Sequence, residues 1–165
     1  MSEVIVLAFS NCGKMTIAEL RKLPDWNVIP AAPGTYRVVA DVGFTPQYRN
    51  KSSAIPFKGK DPSVDVAVLK DKWVNSTQVI YIGKAGGLNQ RATLRQRIKA
   101  YIKFGNGIKA SHWGGRYIWQ LENVDDLYIE WDTCGIEEEP SKLERNGIDS
   151  FFEEYKKLPF ANLRK

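Results

Sequence analysis

Val79-Ile80-Tyr81-Ile82-Gly83-Lys84-Ala85-Gly86-Gly87, followed by Leu94-Arg95-Gln96-Arg97-Ile98-Lys99-Ala100-Tyr101, is the stretch whose reading decides the fold. Its apolar, β-branched start reads as a strand over Val79 to Ile82, and Gly83, Gly86 and Gly87 allow a tight exit from it. Leu94, Ile98, Tyr101 and Ile102 then recur at the spacing of one helical face, so a helix is expected over Thr93 to Phe104, closed by Gly105 and Gly107. This strand-turn-helix unit gathers tyrosines, a lysine and arginines in one place. Such side chains suit a phosphodiester better than a small neutral metabolite.

Working outward, Val4 to Phe9 reads as a short strand, Asn11-Cys12-Gly13 as a turn, and Thr16 as the N-cap of a short helix with Glu19 completing a capping box. Pro24, Pro30 and Pro33 punctuate the chain before the β-branched strand Gly34 to Ala40. Val42 to Lys72 carries Gly43, Pro46, Pro56, Gly59 and Pro62 among polar residues and reads as an insertion or long loop. Beyond the helix, strands are expected at Arg116 to Leu121 and Leu127 to Trp131, separated by a turn at Asn123 to Asp126. A last helix opens at Pro140-Ser141 and runs to about Lys157, before Pro159. There is no internal repeat and no low-complexity tract. The pattern predicts an α+β domain in which a small central sheet, mainly of three strands, is flanked by helices. It is a single domain over residues 1–165, with an N-terminal extension over 1–33 and an insertion over 42–72.

A chain of 165 residues, 43% hydrophobic, can bury one substantial core. No run reaches the ~18 apolar residues of a membrane span, and the early apolar run lacks a basic leader, so a cytoplasmic protein without membrane contact is expected. Cys12 and Cys134 show no paired spacing and read as buried or idle thiols. The net charge is only +5, but its distribution is uneven. Lys72, Lys84, Arg91, Arg95, Arg97, Lys99, Lys103, Lys109 and Arg116 follow one another with no Asp or Glu among them, whereas acidic residues dominate from Glu122 onward. A polyanion would meet the basic segment first. The competing reading is a solvated basic face.

Arg97 and Tyr101 are four residues apart on or beside the apolar stripe of the expected helix, so Arg97 either snorkels or meets an anion. Arg95, Lys99 and Lys103 read as backbone-phosphate contacts or plain solubility charges, and Arg91 and Arg116 are further candidates for phosphate contact. On the last helix, Ile148, Phe151 and Tyr155 define a stripe with Glu144 in its middle, which turns that carboxylate inward. Ser141-Lys142-Leu143-Glu144 also has the pattern of a capping box, which would occupy Glu144 structurally. Glu137-Glu138-Glu139 and Glu153-Glu154 read as exposed. One inward carboxylate suits Mg²⁺, which keeps most of its waters and takes one or two protein oxygens. No HExxH, P-loop or GxSxG motif is present. His112, the only histidine, argues against a multi-histidine metal centre and reads as a loop or sheet-edge residue within Ser111-His112-Trp113-Gly114-Gly115-Arg116.

Gly34-Thr35-Tyr36 on one strand, Tyr81-Ile82-Gly83 on the next, and Arg97, Glu144 and Asn162 behind them in that order resemble the GIY-YIG nuclease family over about residues 34–162. Tyr81 to Tyr101 is most similar to the nuclease domain of bacterial excision repair. His112 to Arg116 resembles a segment of some restriction-type members. Thr35 stands where the family usually has isoleucine, and the intervals from Tyr36 to Tyr81 and from Glu144 to Asn162 are longer than usual. The resemblance implies a metal-dependent endonuclease that hydrolyses DNA phosphodiester bonds with Tyr36, Tyr81, Lys84, Arg97, Tyr101, Glu144 and Asn162 as catalytic residues. Glu144 would hold Mg²⁺ or Mn²⁺, Arg97 would stabilise transition-state charge, and either Tyr36 or Tyr81 would take a proton from water. DNA is the implied partner; beyond the resemblance, Tyr48, Arg49, Lys51, Lys58 and Lys60 of the insertion are expected to grip the duplex. One small site cuts one strand, so a nick is expected, or else a homodimer or a targeting protein partner. The alternatives are a nucleic-acid-binding module without cleavage and a structural domain in which Glu144 caps a helix and the tyrosines fill the core.

Overall fold

The computed structural model describes residues 12–87, 89–110, 112–134 and 138–164. The strand expected at Val4 to Phe9, the Asn11 end of the first turn and Glu137 lie outside the described residues. In chain order the elements are β1 (Gly13–Thr16), α1 (Ile17–Arg21), β2 (Gly34–Val39), α2 (Val66–Lys72), β3 (Val79–Ala85), α3 (Leu94–Gly105), β4 (Tyr128–Thr133) and α4 (Pro140–Tyr155), with 3₁₀ turns at Arg116–Gln120 and Val124–Asp126 between α3 and β4. The class is α+β. Among the described residues four strands, not mainly three, form one antiparallel sheet in the order β1-β4-β2-β3. The additional strand is β1, whose four residues are too few to show a period in the sequence and which forms by pairing with β4.

The caps follow the local chemistry. Thr16 and Glu19 make the expected capping box on α1, and Thr93 and Gln96 make another on α3. On α4 the expected box does not form. Glu139 is the N-cap and its carboxylate accepts from the Lys142 amide at 3.1 Å, which places Ser141 inside the helix and leaves Glu144 uninvolved in capping. Glu139 is therefore not a simply exposed member of an acidic run.

Arg116 to Leu121 is not a strand. Its residues from Tyr117 to Leu121 are all buried, so neither face is free to be the solvent side of a strand, and the segment coils into a 3₁₀ turn. Its outward carbonyls instead anchor the loop before α2. Gln120 and Trp119 accept from the amides of Arg49 and Ser53 at 2.9 and 3.0 Å. The fully buried Gln120 side chain donates to the carbonyls of Arg49 and Val64 and accepts from the Val64 amide. The insertion is thus tied down and ends in the helix α2, a correction to its reading as loop throughout.

Alternation on β2 and β3 sorts the core. Tyr36, Val38, Tyr81 and Gly83 face α3, where Ile98, Tyr101 and Ile102 are buried, with Trp119 of the following 3₁₀ turn buried against Tyr101. Ile82 and Lys84 face the other way, toward α4, where a Cβ on Gly147 would stand 3.6 Å from Ile82 Cδ1. β3 is an edge strand, and the chain's last turn covers that edge. Ala161 donates to Ile80 O at 2.9 Å, while the Asn162 amide accepts from Ile82 N–H and donates to Ile82 C=O, both at 2.9 Å. No helix among the described residues is long and apolar enough to cross a membrane.

Candidate active site

A cleft of about 370 Å³ opens where β3 ends, lined by Tyr36, Tyr81, Lys84, Gly86, Gln90, Ala92, Arg97 and Glu144. Each functional side chain arrives from a different direction. Tyr36 stands on β2 directly opposite Gly83, and a Cβ on Gly83 would lie 2.5 Å from Tyr36 Cζ. The absence of a side chain there is what lets the Tyr36 ring lie across β3 toward the cleft. Tyr81 comes from the same face of β3, its ring centroid 6.1 Å from that of Tyr36. Lys84, on the opposite face, has its ammonium held by Gln90 Oε1 at 2.9 Å and the Gly86 carbonyl at 3.3 Å. Arg97 enters from α3 and Glu144 from α4. Because β3 is an edge strand, groups from both layers reach one cavity around it.

The cleft sets two cations, Lys84 and Arg97, beside one carboxylate, Glu144. Burial raises the Glu144 carboxyl above its usual range, and Lys84, Arg97 and Arg145 pull it back. Burial pushes the Tyr36 phenol up to about 12, with Arg97 opposing and Glu144 adding to the rise. Burial likewise holds Tyr81 and Tyr101 well above the ordinary phenol range. The resting phenols are therefore neutral.

Of the residues expected to be catalytic, Tyr36, Tyr81, Lys84, Arg97 and Glu144 share the cleft, whereas Tyr101 and Asn162 do not line it. The Tyr101 hydroxyl donates to Gly115 O at 2.6 Å in the core. Asn162 pairs with the backbone of Ile82, so it holds the strand between Tyr81 and Gly83 in place. The expected DNA contacts divide as well. Arg91 is exposed at the rim between Gln90 and Ala92, and Lys99 and Lys103 are half-buried on α3. Arg95 is committed to the fold, its Nε donating to Ile29 O at 2.8 Å, and Arg116 lies over the Trp113 ring at 4.3 Å. In the insertion, Lys51 pairs with Asp61 at 3.9 Å, Tyr48 is half-buried and Arg49 is exposed. Lys58 and Gly59, with φ of 51° and 76°, form the tip of a tight hairpin between Phe57 and Lys60, with both lysines exposed.

His112 is the residue that sequence reasoning left without a role. It is buried, its ring stacks on Tyr101 at 3.9 Å, and its Nε2 is 2.6 Å from the Tyr36 hydroxyl. Gly114 and Gly115 were the available signal. A Cβ on Gly115 would overlap the Tyr101 hydroxyl, and one on Gly114 would touch the Tyr81 hydroxyl at 3.5 Å, so the glycine pair lets this loop close over the tyrosines. No family model, curated protein or solved structure matches the chain.

Proposed function

We propose that the protein is a metal-dependent endonuclease of the GIY-YIG type that hydrolyses DNA phosphodiester bonds. The observation that carries this reading is the convergence of Tyr36, Tyr81, Lys84, Arg97 and Glu144, from two strands and two helices, on one cleft. Packing alone gives no reason for two cations and a carboxylate to meet two tyrosines in a partly buried cavity.

Glu144 fits a hard divalent cation. It is a desolvated carboxylate, free of any capping duty, beside open volume that a cation's remaining waters and a phosphate oxygen can fill. When bound, Mg²⁺ or Mn²⁺ supplies Lewis-acid stabilisation to the phosphate and the leaving oxygen. Arg97 faces the charge that builds on the phosphorane, and loss of such a preorganised donor costs on the order of 10²-fold or more in rate. Lys84, steered by Gln90 and Gly86, adds positive potential at the mouth of the cleft and attracts the substrate backbone. A tyrosine hydroxyl in the cleft accepts the proton of the attacking water. Arg91 at the rim and Lys58 and Lys60 at the hairpin tip are the exposed cations suited to the flanking phosphates.

Conversion of supercoiled plasmid, with Mg²⁺ or with EDTA, tests the reading. Wild type is expected to nick or linearise in Mg²⁺ only, and a folded Glu144→Ala variant to lose at least about 10²-fold. Inert wild type and variant that bind DNA equally, with or without Mg²⁺, would replace cleavage by a binding module of the same fold.

A further inference from the structure

The neutral state of Tyr36 leaves a gap in the chemistry just described. A phenol that still carries its proton accepts another only as its own departs, so the site needs somewhere to put it. Arg97, beside the Tyr36 hydroxyl, offers only donors. The Tyr101 hydroxyl is spent on Gly115 O. The Tyr81 hydroxyl is hydrogen-bonded to that of Tyr36 as well, but a neutral phenol is a far weaker base than an imidazole. The His112 Nε2, 2.6 Å from the Tyr36 hydroxyl, is the base within reach, and the ring that carries it is held by the 3.9 Å stack on Tyr101 and by the closed Gly114-Gly115 loop.

We propose that Tyr36 and His112 form a proton-accepting pair in which His112 Nε2 takes the Tyr36 proton as Tyr36 takes one from the attacking water. This rests on the phosphodiester-hydrolysis reading and deepens it by choosing Tyr36 over Tyr81 as the acceptor. The step balances. One water O–H bond breaks as water oxygen bonds to phosphorus, one Tyr36 O–H bond forms while the original one breaks, and one Nε2–H bond forms. The imidazolium then returns its proton through Tyr36 to solvent in the cleft. Burial and Arg97 hold the imidazole well below its usual basicity, which favours that return. The pair requires the resting histidine to carry its hydrogen on Nδ1, leaving Nε2 bare. His112 acts through Tyr36 and does not line the cleft.

The groups facing the pair are Tyr81 on β3, Tyr101 and Arg97 on α3, and Glu144 on α4. They are unchanged in the variants used to test it. His112 is the only histidine in the chain, so ¹⁵N-detected spectra of the imidazole report this site alone. The expected result is a neutral ring with Nδ1 protonated and Nε2 bare, the Nε2 resonance shifting in Tyr36→Phe. In plasmid cleavage, His112→Gln keeps an acceptor for the Tyr36 hydroxyl but cannot take its proton. It is expected to lose about 10²–10⁴-fold at neutral pH with DNA binding retained, and to recover relative to wild type as pH is raised toward the Tyr36 value of about 12 and the phenolate grows in population. A protonated Nε2 in the resting protein, or wild-type cleavage by His112→Gln, overturns the pair and leaves the phosphodiester reading standing. So does a loss that is equal at every pH, which marks a structural role. An inert wild type whose spectrum still shows bare Nε2 bonded to Tyr36 leaves the hydrogen bond but removes the reaction the pair serves, and so overturns the phosphodiester reading and the proton transfer together.

Discussion

Gly83 and Tyr36 occupy one space between them. With Tyr36 fully buried and a Cβ at position 83 only 2.5 Å from its ring, Gly83→Ala must push the ring off its place. Overpacking of this kind typically costs about 1–3 kcal/mol, and urea unfolding is expected to show a loss in that range, together with reduced cleavage. Asp132 gives a pH signature. It lies on β4, and burial, with Glu138 nearby, raises its carboxyl from 3.8 to about 6. The folded state thus binds this proton more tightly than the unfolded chain, so the group lowers stability as pH rises from about 4 through about 6. Asp132→Asn is expected to raise the unfolding free energy in urea near pH 7, by no more than about 1 kcal/mol for a side chain this exposed, and to have no effect below about pH 4. At this scale the chain was legible wherever a residue acts through its own neighbours. Thr16 with Glu19 is such a case. His112 was not, because its partner Tyr36 is 76 residues away in the chain.

Helix α3 carries Arg97 into the cleft, and its start is set by Thr93 and Gln96, whose reciprocal bonds measure 3.2 and 3.0 Å. Thr93→Ala is expected to cost about 1 kcal/mol in thermal or urea unfolding and to lower cleavage further than that loss explains, since fraying shifts the turn that positions Arg97. At the edge strand, Asn162→Ala removes the partners of both the Ile82 N–H and C=O, and burial makes this expensive: about 2–4 kcal/mol by the same measurement. The helices α3 and α4 could be read from the period of their buried faces, and β2 and β3 from their β-branched, apolar runs bounded by glycine and proline. Arg116 to Leu121 could not. Its run of β-formers is buried on every side, and whether such a run coils or extends depends on which backbone it meets, here the loop from Arg49 to Ser53.

Across the whole molecule, the open sheet ends in β1 on one side and in β3 on the other, and the turn around Ala161 and Asn162 covers the β3 edge. Ending the chain at Lys157 would uncover Ile80 and Ile82 on the β3 edge and remove the buried Phe160. Such a chain is expected to self-associate, with larger species in size-exclusion chromatography than the full chain gives. The exposed cations act together at long range. Replacing Lys58 and Lys60 by glutamate is expected to weaken DNA binding and to flatten its dependence on salt, by up to about 0.9 in slope for each phosphate no longer neutralised, without changing the unfolding free energy by more than about 0.5 kcal/mol.

The sequence by itself determined the α+β class, the strand-turn-helix unit around Tyr81 and Arg97, and the inward Glu144, because these follow from period, capping and turn chemistry over a few neighbouring residues. The tertiary structure decided the rest. It brought Tyr36, Tyr81, Lys84, Arg97 and Glu144 around one strand edge, moved Tyr101 and Asn162 into supporting positions, folded the insertion onto Gln120, and set His112 against Tyr36. These pairings join segments far apart in the chain, and burial and hydrogen bonding select them only once the sheet and its helices are packed together.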